Sequence, residues 1–314
     1  MNKESPDKVK ISDRKAVLTS FQVDIIDVLL NGATALITGS VVMLAETLQG
    51  ISDLTVDVLV YTGMKRSKRP ATKRYPLGFG RELFVWSLFA ILIMFFVLAG
   101  LSFYFGFQRF LDPKPIEYIY LAYLVLIISL VTNGYSFSLS ARRILSGRSF
   151  WKVRKAFSES TFMETKITFT SDMLGFLSAG FGLVALILFE RTGHAWFDGL
   201  GGMMIALLMA GFSFWLLRNV RDFIIGVSAP VETQRKIKEA TLEISGVKEV
   251  LDLKAVVIGS NRLLVNIEIH VKDGLVTDEI ERLIDKVKEN VKEEIPSVHH
   301  IQVELETPSD ELRV

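Results

Sequence analysis

The chain has 314 residues, half of them hydrophobic, and carries 36 basic against 35 acidic side chains with no cysteine. Leu83 to Gln108 and Tyr118 to Ala141 run without one charged side chain, each longer than the roughly 20 apolar residues that cross a bilayer, which excludes a soluble protein. The missing cysteine excludes disulfides and thiolate metal sites, so any metal must be held by carboxylate, imidazole, hydroxyl or water.

In chain order, residues Met1 to Lys15 are polar and lack the apolar core of a signal peptide, and are expected to be a cytosolic tail. A first span over about Ala16 to Thr38 is interrupted by Asp24, Asp27 and Asn31 at spacings that share one helical face. After a Gly39-Ser40 turn, a second span over about Val42 to Met64 carries Glu46, Asp53 and Asp57. The two uncharged stretches are spans three and four, joined through Asp112-Pro113-Lys114-Pro115. A fifth runs from about Ser160 to Phe189 and is apolar after Asp172. The sixth runs from about Ala195 to Leu217 and opens with Asp198, Gly199, Gly201 and Gly202.

Lys and Arg cluster between spans two and three (Lys65 to Arg81) and between spans four and five (Arg142 to Lys155), whereas the opposite loops hold Arg109, Lys114 and Arg191. The positive-inside rule then places both termini in the cytoplasm of a multi-pass protein, with the cell (inner) membrane as the expected location.

Beyond Pro230 the pattern becomes short and alternating. Gln234 to Ile244 has helical spacing, Val247 to Ile258 and Arg262 to Val271 read as strands, and Gly259-Ser260-Asn261 as the turn between them. A second amphipathic helix over about Thr277 to Glu294, capped by Thr277, precedes a last strand over Ile301 to Leu305. The expected fold is an α-helical membrane protein with six transmembrane helices followed by a cytosolic α+β ferredoxin-like domain of order αββαβ. Its divisions are residues 1–15, 16–229, 230–307 and a tail over 308–314. Charge sorts the same way, with 24 basic against 17 acidic residues before Pro230 and 12 against 18 after it.

An ionisable side chain inside a span is costly unless paired, hydrated or metal-bound, so it marks a candidate functional site. Asp53 and Asp57 lie one turn apart, near enough for both carboxylates to reach one cation. Asp172 in the fifth span, with Thr168 one turn before it, adds to an oxygen-rich set suited to a divalent metal. The structural alternative is that spanning acidic residues bond to Asn, Ser or Arg within the bundle, an alternative held open most widely for Asp24, Asp27 and Glu46.

Several segments together resemble the cation diffusion facilitator family. They are Thr38-Gly39-Ser40, Leu44-Ala45-Glu46-Thr47, Ser52-Asp53-Leu54-Thr55-Val56-Asp57, and Arg74-Tyr75-Pro76-Leu77-Gly78-Phe79-Gly80-Arg81-Glu82. Asp172, Asp198, Ile224-Ile225-Gly226 and the αββαβ tail continue the resemblance over nearly the whole chain. It implies a homodimeric exporter that moves divalent transition metals out of the cytosol against protons, by alternating access around a site between spans two and five. Asp53, Asp57 and Asp172 match the family's ligand positions. Thr168 stands where zinc-selective members commonly have His, and oxygen donors in place of an imidazole leave zinc, manganese, iron and cobalt all as possible cargo. Regulatory metal positions in the family's cytosolic domain correspond to Leu251, Glu268, Glu304 and Glu306, a carboxylate site or none. His270, His299 and His300 are read first as exposed residues at strand ends.

The implied partners are membrane lipid, divalent cations, protons and a second copy, with no nucleic acid and no resident cofactor. Gly78-Phe79-Gly80 lacks the strand and the Lys-Ser/Thr of a phosphate loop. An intramembrane aspartyl protease is disfavoured because its Gly-x-Gly-Asp pattern is missing, so the expected protein is not an enzyme. The remaining alternative is a non-transporting metal-sensing or heterodimer scaffold of the same fold.

Overall fold

A computed structural model describes residues 24–145, 147 and 149–308. The tail expected at 1–15, all but the first residue of the tail expected at 308–314, and the start of the first expected span lie outside them. The chain forms two compact units. One holds residues up to Thr62 with Trp86–Val153 and Thr165–Asn219, and the other holds Gly63–Val85, Arg154–Glu164 and Val220 onward.

The first unit is helical. Helix α1 covers 24–38 of the described residues, followed by α2 (Val41–Ser67), α3 (Glu82–Leu111, with a π-helical stretch over Ile93–Ala99) and α4 (Ile119–Leu145). A short α5 (Val153–Glu159), nearly all of it in the second unit, precedes α6 (Met163–Thr192) and α7 (Trp196–Ile225). Four of these, α3, α4, α6 and α7, are long and apolar enough to cross a membrane. The six expected spans are thus met in part among the described residues, with α2 not counted among these four. The reason for α2 is its charge: it is 27 residues long, about 40 Å at 1.5 Å per residue, but Glu46, Asp53 and Asp57 break its apolar run.

Val42 and Met43 of α2, Met94 of α3, Leu126 of α4, Leu174 and Leu186 of α6, and Ile205 and Met209 of α7 form the core of this unit. Phe89, Phe96, Phe103 and Phe107 of α3 point outward, as side chains facing lipid would. Close helix approach depends on missing side chains. A Cβ on Gly199 would lie 2.5 Å from the Phe110 nitrogen and 2.7 Å from the Gly106 oxygen, both backbone atoms of α3 that have no room to yield. Gly201, Gly202 and Gly175 are similarly crowded, whereas Gly180 has ordinary clearance.

The start of α2 is held by a buried ion pair. Gly39 takes a left-handed φ of +66° to turn the chain out of α1, and Ser40 then stands where a helix cap belongs, its hydroxyl accepting from the Met43 amide at 3.4 Å. That hydroxyl donates to Asp198 Oδ1 at 2.7 Å, and the Val41 and Val42 amides donate to the same carboxylate at 2.9 and 3.0 Å. Arg109 Nε, from the end of α3, pairs with Asp198 Oδ2 at 2.8 Å, and its guanidinium also donates to the Gly39 carbonyl. Asp198 is wholly buried and Arg109 nearly so.

The second unit contains α8 (Val231–Leu242), β1 (Val247–Gly259), β2 (Arg262–Val271), α9 (Thr277–Glu294) and β3 (Val298–Leu305). The αββαβ order lacks the first strand of the ferredoxin-like motif, so the sheet has three strands in the order β1-β2-β3. β1 and β2 are antiparallel and β2 and β3 parallel. Ser228 adds an isolated antiparallel bridge to β1 at Val256. Val257, Val265, Ile267 and Ile269 of the sheet and Val287 and Val291 of α9 are fully buried. Helix α9 begins at Thr277, so Thr277 is not its cap; Glu279 reaches back to accept from the Val276 amide at 3.1 Å. The loop before α3 packs on the β1–β2 turn, where a Cβ on Gly80 would stand 2.5 Å from the Ile258 oxygen. Glu164 accepts from the Ser260 hydroxyl of the same turn at 2.6 and 2.7 Å.

Removing one partner of a buried pair strands the other charge and costs about 3–5 kcal/mol. Arg109→Ala is expected to lower the thermal unfolding midpoint in detergent strongly, and adding Asp198→Asn should restore part of the loss. Independent, additive effects of the two changes would refute the coupling.

Candidate functional site

Helical spacing gathers Glu46, Gln49, Asp53 and Asp57 along one stripe of α2. Glu46 and Gln49 are buried, Asp53 is half-buried and Asp57 exposed. The Gln49 amide donates to Asp53 Oδ2. Asp53 Oδ1 and Glu46 Oε1 are buried without a hydrogen-bond partner among the described residues, a costly arrangement for a carboxylate unless a ligand visits it.

Asp172, half-buried on α6, has Ser140 and Arg143 of α4 beside it. Asp57 stands within electrostatic reach of Asp172, and Asp53 within reach of Asp57, Asp172 and Asp24. Asp24 of α1 in turn lies within electrostatic reach of Asp57 and Asp172. Three helices thus bring four carboxylates toward one region of the membrane unit. They do not close: among the described residues no three His, Asp or Glu side chains form a group able to hold a metal ion. Thr168 is exposed on α6, one turn before Asp172.

Asp27 has a different role from Asp24. Ser129 of α4 donates to Asp27 Oδ1 at 2.7 Å, and Asn31 donates to the Ser129 hydroxyl at 3.3 Å and to the Asp27 carbonyl at 2.9 Å. This is a helix-to-helix polar clamp, the structural alternative for a spanning acidic residue. Gln49, Ser140 and Arg143 were not anticipated from sequence. Gln49 was legible in principle, four residues before Asp53, whereas Ser140 and Arg143 meet Asp172 only through the packing of α4 on α6.

In the second unit, the register places Asp252, Glu268 and Glu304 side by side across β1, β2 and β3. Asp252, not Leu251, faces Glu268, because the β1–β2 register shifts between Val250 and Asp252. Lys254 occupies this acidic row, 2.7 Å from Asp252 and 3.7 Å from Glu268. Gln302 donates to Glu304 at 2.9 Å, and Glu306 is exposed beyond the strand. The Lys254 ammonium, helped by the Leu253 amide, holds the Asp252 carboxyl below the usual carboxylate range.

Apolar helices with a stripe of carboxylates turned toward carboxylates on neighbouring helices define an integral membrane protein that handles cations. The chain belongs to the cation efflux family, a family of transporters rather than enzymes. The cation efflux transmembrane domain matches residues 17–224 and the cation efflux protein, cytoplasmic domain, matches residues 229–308. The human relative named proton-coupled zinc antiporter SLC30A9, mitochondrial, is 26% identical over 245 residues, which cover 76% of this chain and 43% of that protein. This chain thus spans less than half the length of that relative. The metal cation efflux system protein CzcD of Cupriavidus metallidurans is 23% identical over 273 residues, covering 86% of this chain and 79% of the relative. A solved MamM-CTD structure aligns with 24% of this chain and 96% of its own at 22% identity, with a TM-score of 0.24.

Asp252 tests the acidic row. A carboxyl held low in the folded state stabilises that state above its unfolded value, near 3.9, and the contribution is lost as pH falls through the lowered folded value. In Lys254→Ala the Asp252 midpoint, followed by carboxyl carbon NMR, is expected to rise toward the ordinary value. An unchanged midpoint would show that Lys254 does not set it.

Proposed function

We propose that the chain exports a divalent transition-metal cation across its membrane in exchange for protons, as a homodimer working by alternating access. Asp53, Asp57 and Asp172 are the ion's ligands in this reading, with Thr168 at the fourth position. The observation that carries it is the approach of the α2 carboxylates to Asp172 on α6, with Asp24 alongside. Ionised carboxylates so close repel one another, and either a divalent cation or bound protons relieves the repulsion. Metal and protons then compete for the same oxygens, which is the physical basis of exchange. A site open on one side at a time converts that competition into transport.

The names of relatives support zinc as cargo. The donor set supports a wider choice, since carboxylate and hydroxyl oxygens suit manganese, iron or cobalt as well as zinc. Both termini face the cytoplasm in this proposal, on the evidence of the basic loops after α2 and α4, and the membrane is the cell's inner membrane. The Asp252, Glu268 and Glu304 row, with Glu306 beyond it, is the corresponding place for a regulatory ion, which would have to displace Lys254. The second reading, a metal-sensing or heterodimer scaffold without transport, is favoured by the absence of an imidazole at Thr168.

Metal uptake into proteoliposomes is expected to require a pH gradient and to fall to background in Asp57→Ala. Full flux in that variant would remove Asp57 from the pathway, and the scaffold reading predicts background flux in the unaltered protein too. Thr168→His is expected to shift ion preference toward zinc by roughly an order of magnitude, as an added nitrogen ligand should. An unaltered ranking across zinc, manganese, iron and cobalt would place Thr168 away from the ion.

A further inference from the structure

Within the second unit, three chain segments distant in sequence line one cavity of about 220 Å3. Lys68, Arg69 and Leu77 come from the loop between α2 and α3, Arg262 from the start of β2, and His299 and His300 from the start of β3. No acidic side chain lines it, and among the described residues none of these three Lys and Arg side chains forms a salt bridge with a carboxylate. Some other cations of this unit are paired: Lys248 with Asp273 at 2.8 Å, Lys254 with Asp252 at 2.7 Å, and Arg235 with Glu232 and Glu239 at 2.6 and 2.8 Å.

Topology explains only part of this. A basic loop after a span is enough to set orientation, and it does not require Arg262 and two histidines of the sheet to line the same space. Bringing like charges together is unfavourable unless an anion joins them. Guanidinium groups, with planar forks of donors, and imidazoles around a concavity match the oxygens of a phosphate. The volume suits one or two phosphate groups, and the walls from Pro70, Pro76 and Leu77 limit what else can enter.

We propose that this cavity binds a phosphate-bearing anion, through Lys68, Arg69 and Arg262 with His299 and His300 as further donors. Two sources share that chemistry: a soluble phosphate or diphosphate, and the phosphomonoester head of a membrane lipid. The lipid source rests on chain connectivity, since four residues after Gly78 the loop enters helix α3, which is apolar enough to span. Occupancy of either kind would tie the α2–α3 loop to the β2 and β3 strand starts.

The test uses the full chain in nanodiscs at low salt, with inorganic diphosphate as the soluble probe in phosphatidylcholine discs and phosphatidic acid discs as the lipid probe. Calorimetry reads diphosphate, and the His299 and His300 ring proton shifts read the lipid. Binding in the first arm identifies a soluble anion, and shifts in the second arm alone identify a lipid head; either supports the proposal. Arg262→Gln and the double variant Lys68→Gln/Arg69→Gln are expected to weaken binding at least tenfold, while Lys238→Gln, on exposed α8, leaves it unchanged. The loop variant lies outside the sheet, so it carries the test should Arg262→Gln misfold. No response in either arm overturns the proposal, as does an equal loss in Lys238→Gln, which would mean general charge attraction.

Discussion

The membrane unit depends on how one buried carboxylate is satisfied. Asp198 at the start of α7 accepts from the Ser40 hydroxyl, the first two amides of α2 and the Arg109 guanidinium of α3. An isolated carboxylate would not survive this degree of burial. Here every donor comes from a group that itself needs a partner: free amides at a helix start, a buried cation and a capping serine. The positive end of the α2 dipole adds to the same attraction. One residue thus fixes where α2 begins and ties the ends of α3 and α7 to it. The Glu117 amide donates to the Thr38 carbonyl at 3.0 Å, bringing the α3–α4 connection to the same turn.

Holding α2 at its start sets the rotation and depth of the carboxylate stripe further along it. Asp53 follows Ser40 by 13 residues and Asp57 by 17, about three and a half and nearly five turns at 3.6 residues per turn. The polar clamp of Asp27 and Asn31 on Ser129 holds α1 against α4 in the same way, and Asp24, one turn earlier, lies within electrostatic reach of Asp57 and Asp172. The unit therefore contains two kinds of intramembrane acid. Asp198 accepts through both carboxylate oxygens and Asp27 through Oδ1, and both hold helices together. Glu46 and Asp53 each keep a buried oxygen without a partner, and Asp57 is open, so these retain capacity to bind something else.

Much of this was readable from residue order. The helical period of α2 and the cost of charge in a bilayer single out Asp53, Asp57 and Asp172 without coordinates. The strands over Val247–Gly259 and Arg262–Val271, and the turn between them, follow from alternation and a Gly-Ser-Asn break. Other features were misread for identifiable reasons. Arg109 looked like a stray loop charge because its partner lies 89 residues away in the chain. That Asp252 pairs with Glu268 was not legible, because a one-residue register shift leaves no mark in an alternating pattern.

Local rules act over a few residues, and within that range the order of amino acids was sufficient. It set which segments are apolar, which helix face carries acid, where Gly39 must turn, and where the sheet residues alternate. Partnership between distant residues is a different kind of fact. That Asp198 is bonded rather than free, that Asp27 clamps while Asp24 lies within reach of other carboxylates, that Lys254 sits in the Asp252–Glu268 row, and that Arg262 shares a cavity with Lys68 are outcomes of packing. Each depends on the rotation of one helix or the register of one strand against another, and those are settled by burial and hydrogen bonding summed over the whole unit.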